Sequence, residues 1–214
     1  MRGDVIIVED HHKKAAETIV EHLRPTVVAL DRPYAMTVAG ESGSGKSEMG
    51  KALKEAWERR GFPAVVLGQD DYFVLPPKSN DRRRREDISW VGTGEVQLDL
   101  LNQHLRAVKQ GAERVSKPEV IYEEDRAEEV ELPLAGVKVV IAEGTYTTTL
   151  SEADCHVFID RDYHATLEAR KRRARERFDP FIEEVLEVEH AIISGHRTAA
   201  DIVIPEDYNL ELSS

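Results

Sequence analysis

Apolar positions along this chain fall into two alternating patterns. Short runs, apolar at nearly every position, recur at YAMTVAG (34–40), PAVVLG (63–68), VKVVIAEG (137–144), CHVFID (155–160) and ADIVIP (200–205). Runs of this kind suit strands buried on both faces. Between them lie helical stripes. Ala15, Ala16, Ile19, Val20 and Leu23 repeat at three- and four-residue spacing, which predicts a helix over 11–24 that Pro25 stops. Met49, Leu53, Ala56 and Trp57 line a helix over 46–60 closed by Gly61 and Pro63, and Leu101, Leu105 and Val108 line another over 96–110 with Gly111 at its end. Two further helical patterns, 163–177 and 180–194, precede the last apolar run. The acidic, alternating stretch EVIYEEDRAEEVEL (119–132) predicts a β-hairpin, whereas TVVAL (26–30) is apolar but short. Buried strands alternating with amphipathic helices specify an α/β fold with a mainly parallel, five-stranded sheet and a small hairpin insertion. No internal repeat or linker interrupts the pattern. One domain over 1–214 is expected, with residues 1–30 as a helical extension on its edge.

Composition narrows the class. The 214 residues are 41% hydrophobic, which excludes wholesale disorder. No apolar run approaches the ~18 residues of a membrane span, and MRGDVIIVEDHHKK lacks the features of a signal peptide. A soluble, cytoplasmic protein with no membrane partner is expected. Its single cysteine, Cys155, starts a strand and suits a small buried hydrophobe. The eight histidines show no metal-ligand spacing: His11 and His12 are adjacent, and His190 and His196 are six apart.

Charge adds a second layer. With 29 Lys+Arg against 41 Asp+Glu the formal net charge is −12, which argues against nucleic acid as a partner. The basic residues are not evenly spread. Arg82 to Arg85 are consecutive, and six of the eight positions from Arg170 to Arg177 are basic, leaving 19 basic against 40 acidic residues elsewhere. Two concentrated basic segments on an acidic body suggest local handling of a phosphate-rich ligand, against the alternative that they are solvated helix faces.

The segment GESGSGKS satisfies G-x-x-x-x-G-K-[ST] and sits between a predicted strand and a predicted helix, the context a phosphate-binding loop requires. Gly40, Glu41, Ser42, Gly43, Ser44, Gly45, Lys46 and Ser47 are therefore the expected nucleotide-binding set. The glycines let successive N–H groups turn toward one concavity, and the following helix adds its positive end. Lys46 is expected on the β- and γ-phosphate oxygens of ATP, and the Ser47 hydroxyl on Mg²⁺. The architecture becomes that of a P-loop NTPase, a three-layer sandwich. No NKxD guanine-reading pattern and no LSGGQ segment is present, which turns the reading toward small kinases.

Such kinases need an acceptor-activating carboxylate and a cationic lid. GQDDYF (68–73) ends the second strand, at the sheet edge onto which the phosphate loop also opens. Asp70 is the first candidate for general base and Asp71 the second, with a helix or turn cap as the alternative role for Asp71. VVIAEG (139–144) ends an apolar strand in Glu143, placed to orient magnesium beside Ser47. The arginines of 167–186 suit a closing lid in which two or three side chains stabilise charge on the transferred phosphoryl group, with Arg173, Arg175 and Arg177 as candidates.

These segments resemble the uridine kinase/phosphoribulokinase family of P-loop kinases from about Tyr34 to Pro205. QDDYF resembles the family's Q-D-[SD]-[FY]-[FY] segment, IAEG its strand-end V-x-E-G, LDLLNQHLRAVKQG the helix that follows the base motif, and LEARKRRARERFDPFIEEVL its lid. The resemblance implies Asp70 as catalytic base, Glu143 in the magnesium-associated place, and ATP-dependent phosphorylation of a hydroxyl on a small molecule. The acceptor side departs from the pattern. Val91 falls where uridine kinases carry a ribose-holding acid, no histidine follows Tyr122, and the lid reads RFDP in place of E-R-G-R. Asp71, Tyr72, Arg82, Trp90, Tyr122 and Arg170 are the candidates for acceptor contact. The arginine run 82–85 raises the alternative of a phosphorylated or carboxylated acceptor. A different P-loop transferase, or a non-catalytic nucleotide-binding regulator, are the other readings. The oligomeric state, homo-oligomer included, is left open.

Overall fold

The computed structural model describes residues 6–161, 179–210 and 212. Its strands are β1 (Tyr34–Gly40), β2 (Ala64–Gly68), β3 (Arg114–Ile121), β4 (Arg126–Pro133), β5 (Val139–Glu143), β6 (Cys155–Ile159) and β7 (Ile202–Ile204). Five of them form one parallel sheet in the order β2-β5-β1-β6-β7, and β3 and β4 pair antiparallel as a separate hairpin. The helices longer than one or two turns are α1 (Asp10–Ala29), α2 (Lys46–Arg59), α3 (Pro77–Glu86), α4 (Leu98–Lys109) and α5 (Pro180–Ile193).

The continuous apolar runs have their expected cause. Along β1, Tyr34, Met36 and Val38 enter the core shared with α1 and α2, while Ala35 enters the core under α4. β5 divides in the same way, with Val139 and Ile141 on one side and Val140 and Ala142 on the other. Both faces of the sheet are covered, giving three layers. On α2, Trp57 is fully buried and meets Phe62 edge-on at 5.5 Å.

Two helical expectations change. The helix α1 is more than an extension on the edge: its Ala15, Ala16, Ile19 and Val20 are buried against α2 and belong to the main core. Nor does Pro25 end that helix, which runs to Ala29 with the proline inside. Pro25 lies on the exposed face, while Leu23 and Val27, four residues apart, are both buried. Burying such side chains is worth about 1.5–3 kcal/mol each, enough to offset the roughly 3 kcal/mol that an interior proline costs. α3 was not foreseen because Asn80 is its only buried residue and no apolar stripe marks it. The hairpin begins at Arg114, five residues before the expected start. The 180–194 helix is present as α5, whereas the 163–177 pattern lies outside the described residues. Among the described residues no helix is long and apolar enough to cross a membrane.

Candidate active site

Strand register assembles the site. Glu143 at the end of β5 lies opposite Val38 of β1 on one side and Gly68 of β2 on the other. The phosphate loop that begins at Gly40 and the turn that carries Asp70 therefore emerge on either side of Glu143, at the C-terminal edge of the sheet. Parallel strands with their helices on both faces make this edge the place where ligands bind.

In the loop, Gly45 caps α2 with φ of +102°, a backbone region closed to most L-residues. A Cβ there would run into the Tyr208 hydroxyl and come within 3.1 Å of His12 Nε2. The loop is held from behind by three other elements. The Tyr208 hydroxyl donates to the Ser44 carbonyl at 2.5 Å, the His190 imidazole of α5 meets Glu41 Oε1 at 2.6 Å, and the rings of His11 and His12 lie against Tyr208. Lys46 Nζ donates to the Glu41 carbonyl at 2.8 Å, within the loop. Ser44 Oγ is buried without a hydrogen-bond partner among the described residues. Burial beside His11 lowers the His12 pKa to about 4.

Ser47 Oγ donates to Glu143 Oε2 at 3.2 Å. Burial, and then the like charge of Asp70, pushes the Glu143 carboxyl up to about 7. Its space is cleared by glycines: a Cβ on Gly68 would stand 2.9 Å from Glu143 Oε1, and one on Gly50 would stand 3.3 Å from Glu143 Cγ. Gln69 fixes the loop beyond the strand, its Oε1 accepting the Tyr146 N–H at 2.8 Å. A hydroxyl and a carboxylate, both hard oxygen donors, are a donor set suited to magnesium. A second cluster, Glu9, His11 and His12, brings one donor atom from each residue within 4.8 Å of the others. His12 Nδ1 there accepts the Glu9 N–H at 3.1 Å, so the neutral ring carries its proton on the other nitrogen.

Asp70 is exposed and, with Ser42 of the phosphate loop, lines a cavity of about 750 Å³. Arg82 and Tyr122 line the same cavity. Three expected acceptor contacts are used elsewhere. The Asp71 carboxylate is buried and takes Lys117 Nζ at 2.8 Å and the Val120 N–H at 2.9 Å, fastening the hairpin to the turn that carries Asp70. Tyr72 has no exposed surface, and its hydroxyl is bonded to His104 Nδ1 at 2.8 Å. Trp90 stands outside the cavity lining, donating to Asn80 Oδ1 at 2.8 Å beneath the Arg83 guanidinium. Arg170, Arg173, Arg175 and Arg177 lie outside the described residues.

The cavity wall also contains residues that the motifs did not single out. Arg84 is bidentate on Glu95, Nε to Oε2 at 2.7 Å and Nη2 to Oε1 at 2.6 Å, and Nη2 reaches Glu189 Oε1 at 3.3 Å. Asn80 and the Gly92 N–H complete the Glu95 bonds at 2.9 and 3.2 Å. A signal for Glu189 was present in the sequence. It is three and four residues from Leu186, Val185 and Ile193, so it is a carboxylate on the apolar face of α5.

Comparison with known proteins gives the family. A model of the "Phosphoribulokinase / Uridine kinase family" matches residues 35–188. The bifunctional alpha-galactosidase/sucrose kinase AgaSK of Mediterraneibacter gnavus is 28% identical over 80% of this chain, which spans only 20% of that larger protein. The uridine kinase of Leuconostoc citreum is 26% identical over 82% of this chain and 88% of its own length. Among solved structures, a kinase assigned to a fructose transport system in Silicibacter sp. TM1040 superposes with a TM-score of 0.66 at 20% identity, over 90% of this chain and 98% of that one, a likeness of fold. With the matched span covering more than half of its length and running from β1 into α5, the chain belongs to the phosphoribulokinase/uridine kinase family of P-loop kinases that act on small molecules.

Proposed function

We propose that this protein transfers the γ-phosphoryl group of ATP to a hydroxyl of a small molecule, as uridine kinases do, with Asp70 as the general base. The observation that carries this reading is that Asp70 and the phosphate-loop residue Ser42 line one cavity. Donor and acceptor then occupy a common space, which favours an oriented transfer between them. In the transfer, Asp70 takes the proton of the acceptor hydroxyl, the new O–P bond forms, and the bond between the γ-phosphorus and the β,γ-bridging oxygen breaks, leaving ADP. Lys46 and the loop amides hold the phosphates. Ser47 and Glu143 would hold Mg²⁺, which when bound neutralises charge on the β- and γ-phosphate oxygens. A buried carboxyl whose proton affinity is raised to about 7 is one that gains from a cation beside it. The basic lid segment with Arg170, Arg173, Arg175 and Arg177 would supply charge on closure. Sucrose and uridine, named for two relatives, are both neutral hydroxyl acceptors.

The test is an ATP-consumption screen over nucleosides and free sugars with Asp70→Asn as control. The substitution is expected to lower acceptor-dependent turnover by about 10²–10⁴-fold while ATP binding persists. Acceptor-dependent turnover in Asp70→Asn close to that of the unaltered protein would overturn the assignment.

A further inference from the structure

The arginine run on α3 invites an anionic acceptor, but the structure surrounds it with carboxylates. Arg85 pairs with Asp81 at 2.8 Å and with Asp179, the N-cap of α5, at 2.6 Å. Arg83 faces Glu86 and Asp87 at 3.7 and 3.8 Å, and Arg82 faces Asp125 at 3.9 Å. Arg84 points into the molecule and spends both ends of its fork on Glu95, whose side chain is entirely buried. Among the described residues the cavity lining carries four acids, Asp70, Asp81, Asp125 and Glu189, against Lys78, Arg82 and Arg84.

Glu189 is the surplus charge in this wall. It is 8% exposed, its Oε1 has one long contact at 3.3 Å to a guanidinium already committed to Glu95, and its Oε2 has no hydrogen-bond partner among the described residues. Tyr146, within electrostatic reach of both Glu189 and Arg84, also has a buried hydroxyl without a partner among the described residues. Two buried carboxylates share one guanidinium in a poorly solvated place; burial raises the proton affinity of Glu189, with Arg84 and Lys46 opposing the rise and Glu95 and Asp70 adding to it. Such a group is satisfied by a hydrogen-bond donor and is made worse by a second anion.

We propose that Glu189 determines acceptor specificity: its carboxylate takes a hydrogen bond from a hydroxyl of the acceptor, so the cavity selects an uncharged polyhydroxylated molecule over a phosphorylated or carboxylated one. This rests on the phosphotransfer reading above. The apolar and aromatic surfaces of Phe73, Phe181 and Val185 in the same wall suit the carbon faces of a sugar. The role is one of recognition, since Asp70 handles the reacting proton.

Matched acceptor pairs test it: fructose against fructose 6-phosphate, uridine against uridine 5′-monophosphate, and glycerol against glycerate, each with the unaltered protein and with Glu189→Gln. For the unaltered protein, kcat/KM is expected to favour the best neutral acceptor over its charged counterpart by about tenfold or more, the scale of one buried hydrogen bond against one unpaired charge. Glu189→Gln is expected to raise KM for that acceptor by about tenfold, with a smaller change in kcat and an unchanged KM for ATP, and to narrow the discrimination. A charged member preferred by the unaltered protein overturns the proposal without any variant. An acceptor KM unmoved in folded Glu189→Gln overturns it as well. If neither member of any pair raises ATP turnover above that of Asp70→Asn, the phosphotransfer reading itself falls, and this inference with it.

Discussion

Arg84→Met isolates the balance of charge in the cavity wall. Methionine keeps much of the length of the arginine stem and removes the guanidinium. Glu95 then loses its two short bonds, at 2.7 and 2.6 Å, and keeps only Asn80 and the Gly92 N–H, while Glu189 loses its contact at 3.3 Å. Since the Glu95 side chain has no solvent exposure, water does not readily replace the bonds it loses. Removing one partner of a buried ion pair costs about 3–5 kcal/mol, because the other charge stays behind unpaired. For a chain of this size each kcal/mol lowers Tm by roughly 2–4 °C, so a drop on the order of 10 °C is expected. Thermal and urea unfolding measure it. A double-mutant cycle with Glu95→Gln should return a coupling of about 1–3 kcal/mol. Arg84→Met melting within about 2 °C of the unaltered protein, together with a coupling below about 0.5 kcal/mol, would refute the reasoning. It would mean that the guanidinium is not committed to Glu95 and is available to an anionic ligand.

Two other perturbations probe the phosphate loop and its neighbours. The His12 imidazole has a folded pKa of about 4 against an ordinary 6.5, so the unfolded chain takes up a proton that the folded one refuses, and His12 should lose the protein stability as pH falls from 6.5 through about 4; in thermal melts across that range, His12→Gln should show a flatter decline, and equal slopes would count against the assignment. Gly68→Ala leaves an ordinary backbone conformation, φ −83°, but places a methyl 2.9 Å from Glu143 Oε1. Because the obstructed atom is the end of a side chain, Tm should hold within a few degrees while the Mg²⁺ concentration for half-maximal activity rises several-fold; unchanged magnesium dependence would show that Glu143 does not act with Ser47.

What could be read from the sequence was what is encoded within a few consecutive residues. The phosphate loop and Asp70 directly follow strands and Glu143 ends one, so one local pattern gives both the residue and its place at the sheet edge. Asp71 and Tyr72 look like members of the same motif, yet their partners are Lys117 and His104, 46 and 32 residues away, and nothing local reveals that they are already engaged. The arginine run hides its partners for the same reason. Arg84 looks like its neighbours until Glu95 and Glu189, 11 and 105 residues distant, are brought to it by the fold. Pro25 shows the opposite failure: a strong local signal was overruled by the burial of Val27 against the body of the protein.

The packing of α1 sets the size of the smallest piece that can stand alone. The family-matched span, residues 35–188, contains the phosphate loop, the turn with Asp70, and Glu143, and it is tempting as a minimal fragment. Excised at those limits, it would lack α1, and with it the cover over Met36, Val38 and Trp57, and it would lack β7 and the Tyr208 hydroxyl that fastens the Ser44 carbonyl. The span matched by the family model is therefore smaller than the packed unit of the fold. Work on this kinase by truncation, display or fusion should take its boundaries from the helix at 10–29 and the tail through Tyr208, and not from the motifs between them.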